Sequence, residues 1–379
     1  MKNTIYAVCI SLIMTLCVQP SALLIAGEIN VNSYYGEYDT TQKKKGFPSA
    51  SLKGPVTETW RTPTPKKAYH IGVLFPHLKD SYWITANYGI ISHAKKLGVN
   101  VTLHEAGAYI NFGNQRAQLL GLAKKKNIDG IILASVDYSS MDRFVKAVVH
   151  SGIPVIALIN DILAPDIQAK CLLSFYRVGY KVGEFVSQDS GGKDVKICFF
   201  AGPKRAGWSS EMYEGFKAAI FKLKKPDQKI TFPEPSYGDT RPRVQQLRLS
   251  FLLSNPKNYQ TDYIICNAVA AAEAVDYLRR HRANHPKAKI VSTYITIDIY
   301  EHLKQGSIIA APDLKTISQC SVALDMMVRL LNGEQPGKDF PFNISPIIPM
   351  VTKENISQYS YEDLFGKKDF VPVVHTFKY

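Results

Sequence analysis

The chain has 379 residues, 46% of them hydrophobic, with 46 Lys and Arg against 32 Asp and Glu for a formal charge of +14. That length and apolar content suffice for one large or two medium domains and exclude a disordered chain, a collagen and a small disulfide scaffold. A basic balance raises nucleic acid as a partner, but no Cys/His finger spacing occurs and the lysines fall in short scattered runs, so they read as solvated faces and no nucleic acid is expected.

At the N-terminus, residues 5–25 form a predominantly apolar run shortly after Lys2, with no acidic residue before Glu28. The positive start, the apolar stretch 10–16 and the small residues Ala26 and Gly27 predict a secretory signal peptide over 1–27, cleaved near Ala26 or Gly27. The alternative is an uncleaved anchor, since the run is long enough to span a bilayer, but Gln19 and Pro20 interrupt it. Leu16 is a poor residue ahead of a lipidated Cys17, so a soluble exported protein is expected. Cys9 and Cys17 leave with the signal. Of the remaining Cys171, Cys198, Cys266 and Cys320, the residues in VKICFF and YIICN lie in strand-like runs where cysteine is a small buried hydrophobe, and no disulfide is predicted.

Residues 28–67 are polar, tyrosine-rich and punctuated by Gly36, Gly46, Pro48, Gly54, Pro55, Pro63 and Pro65, a pattern that predicts an extended arm. From Tyr69 short apolar runs (69–76, 99–107, 128–135, 153–160) alternate with amphipathic stretches (82–97, 115–126, 141–150), which is the pattern of a parallel sheet flanked by helices. After Ile167 the alternation restarts, with helices expected at 178–188, 211–223, 244–253 and 270–281 and strands at 195–203, 229–235, 261–268 and 288–294. An α/β fold of two doubly wound parallel-sheet lobes follows. The last quarter, with a helix at 318–331, crosses between them: the N-terminal lobe is expected at 68–165 plus 314–346 and the C-terminal lobe at 166–313 plus 347–379.

Doubly wound sheets bind ligands beyond the carboxyl ends of their strands. The loops there present Asp80, Tyr82 and Trp83, then Tyr109, then Asp137; Phe175 and Tyr176 follow between the lobes, and Trp208, Asn267, Tyr294 and Asp313 in or after the second lobe. Any one aromatic is equally well explained as buried core. Together they suit a methylated or quaternary ammonium, which has no N–H to donate and is held by cation–π attraction of about 0.5–2 kcal/mol per face. Asp80 has a second reading as the N-cap of the helix that follows it. No GxSxG, HExxH, P-loop or paired metal-ligand spacing occurs, so no enzyme activity, metal site or cofactor is expected.

The segments LKDSYWITANYG, EAGAYI, IDGIILAS, IPVIALIN, GPKRAGWSSEMYEGFKAAI, LKQGSIIAA and NISPIIPMVT carry a resemblance, over residues 68–357, to the periplasmic sugar-binding family of the ribose type. KDSYW together with NISPIIPMVT is similar to the branch of that family whose members sense trimethylamine N-oxide and regulate a membrane histidine kinase. The resemblance implies a periplasmic binding protein type I fold, two lobes joined by crossover hinge strands. It also implies a periplasmic location and a partner in two-component signalling, the periplasmic domain of a TorS-like sensor histidine kinase that induces anaerobic respiration on the amine oxide.

Ribose-type members typically place a carboxylate in the loop that here holds Tyr294, an arginine where Ser210 stands, and another arginine where Ile159, Asn160 and Asp161 stand. Sugar sites need such charged donors and acceptors to pair hydroxyls, so their replacement disfavours a sugar; Asp137 is the one sugar-like carboxylate retained. Phe175 stands where the branch has a tryptophan, and Trp208 lies in a loop where a glycine is expected. The implied mechanism is a cleft that closes on a methylated amine oxide, with methyl groups on Tyr82, Trp83, Tyr109, Phe175 and Tyr294 and the oxide on an indole N–H or phenol O–H. The alternative is a solute-binding receptor of an ABC transporter for a sugar or other small solute, which uses the same hinge closure.

Overall fold

The computed structural model describes residues 28–42 and 51–378, so the expected signal peptide at 1–27 lies outside the described residues. In chain order the first elements are β1 (Glu28–Tyr35), β2 (Lys53–Arg61), β3 (His70–Phe75), α1 (Ser81–Leu97), β4 (Asn100–Glu105), α2 (Phe112–Ala123), β5 (Gly130–Leu133), α3 (Asp142–His150), β6 (Val155–Leu158) and β7 (Ala169–Cys171). Then come α4 (Phe175–Ser190), β8 (Val195–Phe200), α5 (Trp208–Leu223), β9 (Ile230–Thr231), α6 (Pro242–Leu253), β10 (Tyr263–Cys266), α7 (Ala268–His281), β11 (Lys289–Ser292) and α8 (Ile297–Lys304). The chain closes with β12 (Ala310–Pro312), α9 (Thr316–Leu331), β13 (Asn343–Pro346), β14 (Met350–Thr352), α10 (Tyr361–Phe365) and β15 (His375–Phe377).

Two sheets result, a nine-stranded one in the order β15-β4-β3-β5-β6-β7-β13-β1-β2 and a six-stranded one in the order β14-β12-β11-β10-β8-β9. Their inner strands are parallel, from β4 through β13 in the first and from β9 through β12 in the second. β5, β6 and β10 are buried along their whole length, as strands covered by helices on both faces must be. Cys171, Cys198, Cys266 and Cys320 are all buried free thiols within this core.

The division into lobes differs from the expected one at three places. β7 belongs to the first sheet, between β6 and β13, so the N-terminal lobe runs on to Cys171 rather than ending at 165. A three-residue strand is too short to show a period. The tail does not stay with the C-terminal lobe: β14 pairs with β12 there, but β15 returns to pair antiparallel with β4 at the edge of the first sheet.

The third difference is the segment expected as an extended arm, whose ends form the antiparallel hairpin β1–β2 on β13. β2 is the outer edge strand and buries Trp60 alone, which is why its sequence carries no apolar alternation. Trp60 Nε1 donates to Asp325 Oδ2 at 2.9 Å, and the other oxygen of that carboxylate bonds His93 Nε2 at 2.6 Å. Beyond β1, Tyr38 stacks on Phe342 and its hydroxyl accepts from Lys170 Nζ at 2.8 Å. Lys170 is fully buried, and its ammonium also bonds Asp161 Oδ1 at 2.6 Å and the Ile162 carbonyl at 3.0 Å. Burial works against the charge, but Asp161 and Tyr38 outweigh it and hold the ammonium above its usual pKa.

The C-terminal lobe turns two helix starts toward the cleft by close packing. A Cβ on Gly179 of α4 would lie 1.9 Å from the Met212 carbonyl oxygen, and one on Gly215 of α5 would lie 1.8 Å from that of Tyr176. Only glycine lets the two helices approach this closely, and their first residues, Phe175 and Trp208, reach the cleft together.

Candidate functional site

The inner cavity lies between the lobes and is lined by Asp80, Tyr82, Trp83, Tyr109, Ile159, Asn160, Phe175, Trp208, Met212, Thr240, Tyr294 and Leu314. The cavity offers about 30 Å³, at least twice what a single water requires. Seven of the expected residues therefore meet: Asp80, Tyr82, Trp83, Tyr109, Phe175, Trp208 and Tyr294. Their rings form a chain across the cleft. Tyr82 packs edge-on against Trp83 with centroids 5.6 Å apart and against Tyr294 at 5.3 Å, Tyr294 meets Trp208 at 6.1 Å, and Trp208 meets Phe175 at 6.5 Å. A Cβ on Gly202 would stand 2.1 Å from Trp208 Cη2, so this glycine makes room for the indole.

Two buried polar atoms of residues on this wall make no hydrogen bond of acceptable geometry, Tyr82 Oη, on which the Thr316 hydroxyl acts, and Trp208 Nε1. Leaving a buried donor unpaired costs roughly 1–3 kcal/mol, and both residues line the cavity, so an acceptor that reached either atom would recover that cost. The Trp208 and Trp83 indoles also act on the Tyr109 phenol, although Trp208 Nε1 makes no hydrogen bond of acceptable geometry to it. Burial raises the pKa values of Tyr82, Tyr109 and Tyr294, so all three remain protonated phenols.

Asp80 is both a helix cap and a residue of the cavity lining. Its side chain caps α1 by accepting from the Trp83 N–H at 3.2 Å, and it lines the cavity. Burial pushes its carboxyl above the usual range, opposed by His77, 3.9 Å away, and by the backbone N–H groups of Trp83 and Tyr82. Asp80 and Thr240 also border an outer recess of about 270 Å³ that holds His77, Asp239, Arg241, Glu273 and Asp298.

Four expected residues do not reach the cavity. Asp137 turns to Arg205 of the other lobe, 2.9 Å from its Nη2 and 3.0 Å from its Nε, and accepts from the Ser139 and Ser140 N–H groups. Burial raises this carboxyl, but the Ser140 hydroxyl, the Ser139 N–H and Arg205 outweigh it and bring it below its usual value. Asn267 is spent as the N-cap of α7, accepting from the Ala270 N–H at 3.1 Å. Asp313 pairs with Lys315 Nζ at 2.8 Å and accepts from the Lys315 N–H, so the neighbouring Leu314 lines the cavity in its place. Tyr176 faces away into a separate groove with Tyr34, Arg177 and Ile348.

Ile159, Asn160, Met212, Thr240 and Leu314 complete the lining and were not expected from the sequence as ligand contacts. Ile159 carried one signal, its position directly after an apolar strand. Its φ of +61° is a conformation that a β-branched residue adopts only when its surroundings impose it.

The profile of the periplasmic binding protein domain matches residues 71–335. Periplasmic protein TorT of Escherichia coli K12 is 30% identical over 308 residues, covering 81% of this chain and 85% of that protein. A crystal structure of the TorS sensor domain–TorT complex in the presence of TMAO superposes with a TM-score of 0.69 at 26% identity, covering 81% of this chain and 99% of that one. An ABC transporter solute binding protein from Bradyrhizobium sp. BTAi1 with bound Bis-Tris gives a TM-score of 0.74 at 28% identity, covering 92% of this chain and 98% of that one.

The chain belongs to the periplasmic binding protein family, whose members bind and sense rather than catalyse. Within that family it is a TorT-like periplasmic protein, with the two-lobed α/β fold of type I.

Proposed function

We propose that this protein is a sensor that closes on trimethylamine N-oxide, or a similar methylated amine, and in its closed form regulates a TorS-like membrane histidine kinase that induces respiration on the amine oxide. The observation that carries this reading is the pair of buried donors without a hydrogen bond of acceptable geometry, Tyr82 Oη and Trp208 Nε1, set among aromatic faces contributed by both lobes. A permethylated nitrogen gains from the ring faces and from the Asp80 carboxylate, and an anionic oxygen on the same molecule satisfies the donors. The small size of the cavity favours a compact solute, and none of its lining residues is an arginine or lysine able to fork onto sugar hydroxyls. The TMAO-containing complex of TorT with the TorS sensor domain supports both the ligand and the partner.

A transport role has its own support. The Bradyrhizobium relative is an ABC transporter protein holding Bis-Tris, and its match extends over 92% of this chain against 81% for TorT, a difference similar in length to residues 28–67. Calorimetry of the mature protein with trimethylamine N-oxide, choline and ribose tests the ligand, and co-purification with a TorS-like periplasmic domain tests the partner. Saturable binding of the amine oxide with no heat from ribose is expected; ribose binding alone would sink the proposal.

A further inference from the structure

The side chain of Asn160 bonds two groups on the wall of the cavity. Its Nδ2 lies 2.9 Å from the Ser135 carbonyl oxygen and 3.2 Å from Tyr109 Oη. A backbone carbonyl can only accept, so the atom facing Ser135 must be the amide nitrogen, and this settles the orientation of the amide. The second hydrogen of that nitrogen then points at Tyr109, whose oxygen accepts it. The phenol proton of Tyr109 is thereby left to donate elsewhere, and the ring stands on the cavity wall.

The backbone is strained to deliver this amide. Ile159 takes its positive φ in a tight turn in which the Asn160 N–H reaches the Leu158 carbonyl at 2.6 Å, and Asn160 itself is 1% exposed. Strain of this kind persists where the surrounding structure over-determines it.

We infer that Asn160 is a positioning residue that biases the hydrogen-bond polarity of Tyr109 toward donation and so favours ligands with an acceptor-only oxygen at this wall of the cavity. The inference rests on the reading of the cavity as a methylated-amine site. Trp208 Nε1 can only donate, and Tyr109, one of whose two lone pairs is engaged by Asn160, is biased to join it as a second donor. Tyr82 Oη, beside the Thr316 side chain, can adapt to either role. An amine oxide presents one anionic oxygen and no donor, and it matches two donors. A ligand hydroxyl brings a hydrogen that Trp208 cannot accept and that Tyr109 can take only on its second lone pair, so near these two groups an acceptor-only oxygen is preferred.

The test compares trimethylamine N-oxide with tetramethylammonium, which keeps the methylated cation and lacks the oxygen. Asn160→Asp gives Tyr109 an acceptor and draws its proton out of the cavity; Asn160→Leu is a neutral variant that removes the amide donor; Tyr109→Phe deletes the hydroxyl. The affinity ratio of amine oxide to tetramethylammonium is expected to fall about tenfold in Asn160→Asp and in Tyr109→Phe, and several-fold in Asn160→Leu, as for the loss of one hydrogen bond to a charged oxygen. Added to Tyr109→Phe, neither Asn160 substitution should lower the ratio further. Equal weakening of both ligands, or a ratio shift that persists in the Tyr109→Phe background, overturns the inference while leaving the proposed function standing. A parent protein that binds neither ligand removes both.

Discussion

Tyr82, at the start of α1, and Tyr294, in the loop after β11, meet across the cleft with ring centroids 5.3 Å apart and planes at 67°. Each ring is less than a tenth exposed, so the contact joins the lobes and closes one wall of the cavity at once. A ligand that touches both rings acquires different affinities for the open and closed forms, which is the condition for it to shift their balance.

Tyr294→Ala should therefore weaken both ligand binding and closure. Loss of an aromatic pair and one cation–π face amounts to roughly 1–3 kcal/mol. Calorimetry reads the affinity, and small-angle scattering with and without ligand reads the closure. Unchanged affinity with unchanged compaction would place Tyr294 outside the ligand contacts.

Asp80→Asn separates the helix cap from the proposed contact with the ligand's cationic end. Asparagine caps helices about as well as aspartate, so the melting temperature should change little. Affinity for tetramethylammonium should fall about tenfold as the negative charge is lost. In the parent, burial raises the Asp80 carboxyl above its usual range. The carboxylate form that attracts the cation is lost as pH falls through that raised value, so binding should weaken in mild acid, earlier than an ordinary carboxylate would predict. Asp80→Asn should flatten that profile below neutrality.

The Asp137–Arg205 pair links the lobes from a buried carboxylate to an arginine at the surface, with side chains 9% and 81% exposed. The exposed guanidinium is screened by solvent, and ion pairs at the surface are worth roughly 0–1 kcal/mol. Arg205→Ala and Asp137→Ala should each change amine-oxide affinity by only a few-fold, about the same amount in each variant, and the effect should shrink in high salt. Loss of all binding in Asp137→Ala would instead make this carboxylate a ligand contact.

Tyr38→Phe tests what the segment before the N-terminal lobe contributes. It removes one of three partners from the buried Lys170 ammonium, and destabilisation of roughly 1–3 kcal/mol is expected from a hydrogen bond lost by a charged group. Chemical denaturation reads this directly. An unchanged midpoint would mean that Asp161 and Ile162 suffice to hold the charge.

The sequence by itself determined the two-lobed α/β architecture and most of the cavity's aromatic wall. The reason is local: buried parallel strands read as continuous apolar runs, and the loops just after them open on the crevice whatever the rest of the chain does. Tyr82, Trp83, Tyr109 and Tyr294 could be found by position alone. Only the tertiary structure decided between Phe175 and Tyr176, because successive residues of a helix point about 100° apart and packing chooses which one faces the cleft. It likewise turned Asp137 to Arg205, spent Asn267 on a helix cap and paired Asp313 with Lys315, since a carboxylate or amide bonds the nearest partner and those partners are set by the folded chain. Tyr38 and Lys170 lie 132 positions apart, and Asn160 and Tyr109 lie 51 apart. No periodicity spans such distances, and the hairpin and the polarity of the site became visible only once the sheet had brought these residues together.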